Sequence, residues 1–355
     1  MISSFIRTFT TIFFLSILLA ACSSPSTGTQ ENPTPVLTEL PTETPTPTEP
    51  PTPTATFQPP LVLLIASPDG GQTHLDELES TLSELSNEQG FRFQVRPTLT
   101  PEDLIPEVLI VVVVPPFSGL TDLAISAPQT QFVGVDIPGL EPTGNLSVIG
   151  PDGAAPDQLG FLAGYIAAVV TSDWRVGTIT TNDSPAGIGN RNGFLNGAVF
   201  FCGFCNPTYP PFYEYPIYVE LHSGANPAEW QVLADTIKDN YVEIVYVAPT
   251  ADGNEILAYL AGMGINIIGG ITPPENIRRN WVATVHSDAA SAIQQIWPDL
   301  ITGNGGFNLP LALKISNINE ELFSPGRQRL VDQIRLDLQN GFIDTGVDLL
   351  TGENK

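Results

Sequence analysis

From residue 61 onward, short continuous apolar runs alternate with helical stripes, and this alternation constrains the fold more than any other feature. LVLLIA (61–66), VLIVVVV (108–114) and QFVGVD (131–136) are bounded by proline, glycine or aspartate. Uninterrupted apolar runs of this length are the mark of strands covered on both faces, as in a parallel sheet. APDQLGFLAGYIAAVV (155–170) instead places Leu159, Leu162, Ala163, Ile166 and Val170 on one helical stripe, with Asp157 in the first turn to suit the helix dipole. A second series follows: RVGTITT (175–181), a helix through NRNGFLNGAVFF (190–201), YPIYVEL (215–221), a helix from Pro227 to Asp239, VEIVYVA (242–248), a helix near 254–263 and INIIGG (265–270). Two such series predict an α/β architecture of two Rossmann-like lobes, each a parallel sheet flanked by helices.

The first sixty residues belong to neither lobe. Arg7, an apolar run from Ile12 to Ala21 broken only by Ser16, and the tetrad Leu19-Ala20-Ala21-Cys22 read as a signal peptide over 1–21. The run is too short to span a hydrocarbon core, which takes about 20 apolar residues. Leu-Ala-Ala-Cys resembles the bacterial lipobox, which implies acylation of Cys22 and a stable anchor through several acyl chains. Residues 22–60 then form a tether with eleven prolines, many threonines, four glutamates and no lysine or arginine. Such a stretch lacks apolar surface to offset backbone ordering and favours extended polyproline II. The expected location is the extracytoplasmic side of the cell membrane, held by lipid.

Residues 61–355 are enough for two lobes. With 12 basic and 34 acidic residues they carry a net charge near −22, which excludes nucleic acid as a partner because phosphate backbones require basic stripes. The nearest approach to one is Arg327, Arg329 and Arg335 at helical spacing near the end. No catalytic or metal constellation is legible. His74, His222 and His286 are far apart in sequence and read as surface or capping residues, without the spacing of a zinc site. SPDGGQ and GNGGF lack both the Walker lysine and the Gly-x-Gly-x-x-Gly spacing, and no Gly-x-Ser-x-Gly elbow is present, so no cofactor and no enzymatic activity are expected.

The second half carries a family resemblance. DQLGFLAGYIAAVVTSDWRVGTIT, then NRNGFLNGAV, then EIVYVAPTADGNEILAYLAGMGINIIGG resemble, in that order over about residues 131–302, the basic membrane protein (PnrA-like) family of substrate-binding lipoproteins. The resemblance rests on Phe161-Leu162-Ala163-Gly164 in a helix closing the first lobe, Val176-Gly177 opening the second, and Gly193-Phe194-Leu195-Asn196-Gly197 after it. It implies a type I periplasmic-binding-protein fold with a hinge, an ABC permease as partner, and a nucleoside or other small polar metabolite as ligand. The lobes are then expected at about 61–171 plus 280–302, and at about 174–270 plus a C-terminal part. Two segments depart from the family pattern: SPDGGQTHLDE stands where an Asp-x-Ser-Phe-Asn-like stretch is usual, and GGITPPEN where Gly-x-Asp-x-Asp-Gln is usual. Ligand identity therefore stays open, and a sensing module without transport is an alternative.

In open α/β sheets ligands bind beyond the carboxyl ends of the strands. The loops concerned are 67–74, 115–119, 136–145, 182–190, 249–254 and 271–276, and the candidate ligand-binding residues are Asp69, Phe117, Asp136, Asn182, Asp183, Asn190, Asp252 and Asn254. Phe117 offers a stacking face and the carboxylates accept from hydroxyls or amines. The motif Cys202-Gly203-Phe204-Cys205 follows a helix instead of preceding one. A redox pair needs its first thiol at a helix N-terminus, where the dipole favours thiolate. A local disulfide staple is thus expected, with a thiol oxidoreductase as the more distant alternative.

Overall fold

The computed structural model describes residues 58–67, 75–150, 155–251 and 253–355. The expected signal peptide, Cys22 and nearly all of the tether lie outside the described residues, as do Asp69, His74 and Asp252. The first lobe begins with β1 (Leu61–Ile65), α1 (Leu75–Glu88), β2 (Arg92–Arg96), β3 (Val108–Val113), α2 (Leu120–Ser126), β4 (Gln131–Val135) and β5 (Leu146–Ile149). The second contains α3 (Pro156–Val170), β6 (Val176–Thr181), α4 (Pro185–Cys202), β7 (Ile217–Leu221), α5 (Pro227–Asp239), β8 (Ile244–Val247), α6 (Asn254–Gly262), β9 (Asn266–Gly269) and β10 (Trp281–Asp288). The chain returns to the first lobe with α7 (Ala289–Leu300) and β11 (Asn308–Leu309), and ends in the second with β12 (Ala312–Ser316) and α8 (Pro325–Gln339).

Among the described residues these strands form two sheets, ordered β11-β5-β4-β3-β1-β2 and β12-β10-β9-β8-β6-β7. All pairings are parallel except that of β12 with β10. The expected two-lobed α/β architecture is therefore present. Two placements differ from expectation. Residues 281–288, expected in the first lobe, form β10, which pairs with β9 and β12 of the second sheet; only α7 of the 280–302 segment packs on the first. Helix α3, expected to close the first lobe, is buried in the second, against Val176, Phe194, Tyr246 and Val282.

The apolar runs work as the pleat requires. In β1, Val62 and Leu64 face one core with α1 and α7, while Leu61, Leu63 and Ile65 face the other with α2. Successive side chains point to opposite faces, so a continuous run fills two cores at once.

The second lobe adds a closer kind of packing. Helix α3 is apolar on nearly all sides and is covered by α4, α8 and the sheet. Where α3 crosses α4, glycines alternate across the contact: a Cβ on Gly164 would stand 2.1 Å from the Phe194 carbonyl oxygen, and one on Gly197 would stand 2.0 Å from that of Phe161. Only hydrogen fits at those points, so the two backbones touch directly. The C-terminal segment lies across α4, with Asn192 Nδ2 donating to the Gly352 carbonyl (2.8 Å) and Asn196 Nδ2 to that of Thr345 (2.8 Å).

Three passages link the sheets: between β5 and α3, between β10 and α7, and between β11 and β12. Gly150 (φ 66°) donates its N–H to the Leu309 carbonyl at 2.7 Å, which ties the first passage to the third. Among the described residues no helix is long and apolar enough to cross a membrane.

Candidate functional site

Both sheets present the carboxyl ends of their strands to a common cleft. A cavity of about 200 Å³ lies there, lined by Val114 after β3, Val135 and Asp136 at the end of β4, Pro249 and Thr250 after β8, and Gly270 after β9. Helix α1 adds Glu77, α4 adds Asn190, and the crossing strand β10 adds His286 and Ser287. This is the position that open α/β sheets leave for a ligand, beside the point where strand order reverses.

Of the residues proposed from sequence, Asp136 and Asn190 share this cavity. Asp136 has φ 55°, and its backbone N–H donates to the Ile149 carbonyl at 2.8 Å, which turns the chain sharply at the end of β4. Asn190, expected where the 182–190 loop meets the helix through 190–201, lies inside α4, which begins earlier, at Pro185 behind the N-cap Ser184. It is buried, its Oδ1 accepts from the Tyr246 hydroxyl (3.0 Å) and its Nδ2 donates to the Ala186 carbonyl (3.1 Å), so its amide is held in one orientation.

The other described candidates lie elsewhere. Phe117 packs against the first-lobe core beside α2. Asn182 is exposed and donates its backbone N–H to Leu221. Asp183 accepts from the backbone N–H (2.6 Å) and hydroxyl (3.0 Å) of Ser223, and these bonds, the backbone one foremost, hold its carboxyl below the usual range. Asn254 opens α6 and lines a separate depression with His222 and Trp230. That depression shares Thr250 with the main cavity.

His286 corrects the sequence reading. Expected at the surface, it is 2 % exposed on β10, with Nδ1 3.0 Å from the Ser287 carbonyl and Nε2 3.0 Å from Ser316 Oγ. The Ser287 carbonyl can only accept, so Nδ1 donates to it, while the Ser316 hydroxyl can donate to Nε2 or accept from it. Beside it runs a chain of charges that the sequence did not reveal. Lys314 of β12 is paired with Glu77 of α1 and lies 3.5 Å from Asp288, and Glu77 Oε2 is 4.0 Å from His286. Burial works against the charge on Lys314, but Glu77 and Asp288 outweigh it and hold its pKa above the ordinary value. Burial likewise opposes ionisation of Asp288, yet bonds from Ser291 and the Lys314 charge keep its carboxyl below the usual range. The Glu77–Lys314 pair joins the two lobes at the cleft.

Cys202 and Cys205 are joined by a disulfide, with Cα atoms 5.0 Å apart. Cys202 is the last residue of α4, and Gly203 caps the helix by donating to the Val199 carbonyl at 2.8 Å. Among the described residues no group of three His, Cys, Asp or Glu side chains gathers to hold a metal ion.

No protein-family model matches the chain. No curated protein matches it either. Solved structures do. An ABC transporter solute-binding protein from Conexibacter woesei is 18% identical with a TM-score of 0.58, over 80% of this chain and 98% of that one. An ABC transporter solute-binding protein from Aeropyrum pernix is 14% identical with a TM-score of 0.55, over 81% and 93%. A transcriptional activator of the comK gene from Bacillus halodurans is 12% identical with a TM-score of 0.55, over 79% and 98%. At these identities the likeness is one of fold, and the fold is the two-lobed α/β architecture seen in ABC transporter solute-binding proteins.

Proposed function

We propose that this protein is a lipid-anchored, extracytoplasmic solute-binding protein of the basic membrane protein kind, which closes its lobes on a small polar ligand and delivers it to an ABC permease. The observation that carries this reading is a cavity lined at once by strand ends of both sheets and by the crossing strand β10. A ligand touching both walls binds the closed arrangement better than the open one, and that difference in affinity drives closure. The chain passes between the sheets three times, from β5 to α3, from β10 to α7 and from β11 to β12, and a turn of the lobes about those passages would leave both sheets intact.

Ligand binding stabilises the folded form by RT ln(1 + [L]/Kd), about 2.7 kcal/mol at a hundredfold excess over Kd. A thermal-shift screen is the direct test, with nucleosides first and other small polar metabolites after them. Asp136→Ala and Asp252→Ala should abolish the shift of a genuine ligand, and His222→Ala, outside the main cavity, should leave it intact. If no metabolite shifts the protein and solution scattering shows one unchanging lobe separation, solute capture is wrong. The anchor is tested separately, because Cys22→Ser should release the protein from membranes after detergent-free washing.

A second reading, a ligand sensor without transport, is favoured by the likeness to a transcriptional activator of similar coverage. Co-purification with a permease, or a permease gene adjacent to this one, decides for import; a kinase or receptor gene decides for sensing. The oxidoreductase alternative has less support, since the Cys202–Cys205 disulfide closes the C-terminal end of α4, where the dipole disfavours a thiolate.

A further inference from the structure

The loop that joins α4 to β7, residues 203–216, is fastened from within and carries aromatic rings on its outside. Cys205, Pro207 and Tyr215 are buried, and the Cys202–Cys205 disulfide ties the start of the loop to the end of α4. The buried pair of Asp173 and Arg175, 3.0 Å apart, holds its middle: Asp173 Oδ1 accepts from the Thr208 N–H at 2.5 Å, and Arg175 Nη2 donates to the Tyr209 carbonyl at 2.7 Å. Tyr215 donates its hydroxyl to the Asn240 carbonyl at 2.6 Å. Pro207, Pro210, Pro211 and Pro216 fix φ along the same stretch. On this pinned backbone Phe204 is 88 % exposed, Phe212 70 % and Tyr209 69 %. Phe200 and Phe201 at the end of α4, and the stacked pair of Tyr213 and Tyr241, are exposed as well.

Isolated exposed apolar residues such as Ile125 and Val232 need no explanation, but a set of rings on one loop and its supports does. Because the backbone beneath them is held at Thr208, Tyr209 and Tyr215, the rings cannot be covered by the loop folding back. Their place in the fold is also specific. Arg175 directly precedes β6 and Tyr241 stands shortly before β8, so the loop lies at the amino ends of these strands, whereas the cleft lies at the carboxyl ends. An occupant here leaves the cleft open.

The chemistry of the loop selects that occupant. Residues 203–216 carry one charged side chain, Glu214, and no lysine or arginine. A protein partner is ordinarily met by a polar rim with hydrogen bonds. Phenylalanine surface mixed with tyrosine is instead suited to the boundary between hydrocarbon and headgroups, where aromatic side chains concentrate. Residues 23–60 separate Cys22 from β1, and a chain of that length spans roughly 130 Å at most, so an acylated Cys22 keeps a bilayer within that distance of the domain. Resting on the anchoring part of the reading above, we propose that the 203–216 loop docks the second lobe on a lipid surface, with Phe204 and Phe212 inserted among the headgroups. Binding of this kind scales with the apolar area inserted.

Co-sedimentation of the full chain carrying Cys22→Ser, which removes the acyl anchor, with phosphatidylcholine vesicles and with equal mixtures of phosphatidylcholine and phosphatidylglycerol tests this. Phe204→Ser with Phe212→Ser in the same background is the informative variant, and an unchanged denaturation midpoint checks that it folds. The expected result is partition onto phosphatidylcholine that the double variant lowers tenfold or more, with hydrogen exchange slowed by vesicles within 203–216 in the parent only. Because the domain is acidic, phosphatidylglycerol should weaken binding at low salt and added salt should restore it. Equal partition of parent and double variant, no partition at all, or tighter binding to phosphatidylglycerol overturns the proposal. Concentration-dependent protection of the loop without vesicles, lost in the double variant, assigns the surface to a second copy of the chain and also overturns it. The anchor fails separately: a Cys22→Ser chain that stays on washed cell membranes with both phenylalanines replaced has another attachment, whatever the vesicles show.

Discussion

In the first sheet β3 lies between β1 and β4, and in the second β8 lies between β6 and β9; the two strand orders correspond position by position. The coverings do not correspond. The first lobe is packed through side chains, with Val62, Leu64, Ile110 and Val112 meeting Leu78, Leu82, Ile293 and Ile296. The second is packed in part through backbone, where α3 and α4 meet at glycines and no side chain can move aside. Interdigitated aliphatic side chains can repack around a lost methyl, whereas a carbonyl held in a helix cannot retreat from an added one. The same α/β plan thus produces one lobe tolerant of small changes and one intolerant of them.

The largest expected effect tests that contrast directly. Gly197→Ala should destabilise the protein by about 3 kcal/mol, the upper part of the range for overpacking, although alanine is the better helix former. Ile110→Val, one methylene removed from the first-lobe core, should cost about 1 kcal/mol. Chemical denaturation of the full chain measures both, and equal costs would remove the distinction between the lobes.

A smaller effect belongs to the second lobe alone, which holds the disulfide. By the loop-entropy model, closing a loop of four residues contributes roughly 2 kcal/mol. Reduction should lower stability by about that amount, with hydrogen exchange rising at the end of α4 and not in the first sheet. A global loss of protection would show that the lobes unfold as one unit.

The link between the lobes has a defined pH dependence. The Asp288 carboxyl is held below its ordinary value of 3.8, so the stability it supplies is present above that value and is lost as the pH falls through the lower folded one. Asp288→Asn should therefore flatten the acid limb of the stability profile. Lys314→Met removes the interlobe pair with Glu77 and should shift the scattering profile toward a wider lobe separation; an unchanged profile would show that the pair does not set the lobe separation.

The smallest effect is expected at His222 in the side depression. The Ser223 carbonyl foremost, and then Glu229, raise its pKa above 6.5. Its contribution is present below 6.5 and disappears as the pH rises through the folded value. His222→Ala should erase that slight slope and leave ligand binding unchanged.

Much of the plan was legible because it depends on local pattern. Largely continuous apolar runs, able to fill cores on both faces, marked β1, β3, β4 and β8, the β-branched RVGTITT marked β6, and the stripe and acidic first turn of 155–170 marked α3. The start of α4 was also legible in Ser184-Pro185, an N-cap followed by proline at the first helical position, although the apolar pattern suggested Asn190. Elements with weak local patterns escaped. β2 is a half-exposed RFQVR at a sheet edge, β11 is two residues long, and α8 buries only Val331 and Leu338.

The sequence by itself determined that two parallel-rich α/β layers form and that the pair of cysteines follows a helix. Which lobe receives α3 and β10, and which polar groups face the cleft, was decided only by tertiary contacts. Glu77 and Lys314 are 237 residues apart, and no local pattern couples them. His286 looks like any lone histidine in TVHSD until β9 and β12 close over its strand and leave it 2 % exposed. Periodicity records which face of an element is buried, because burial of apolar surface repeats with the geometry of the element. It does not record what covers that face, because the partner is chosen by packing across the whole chain.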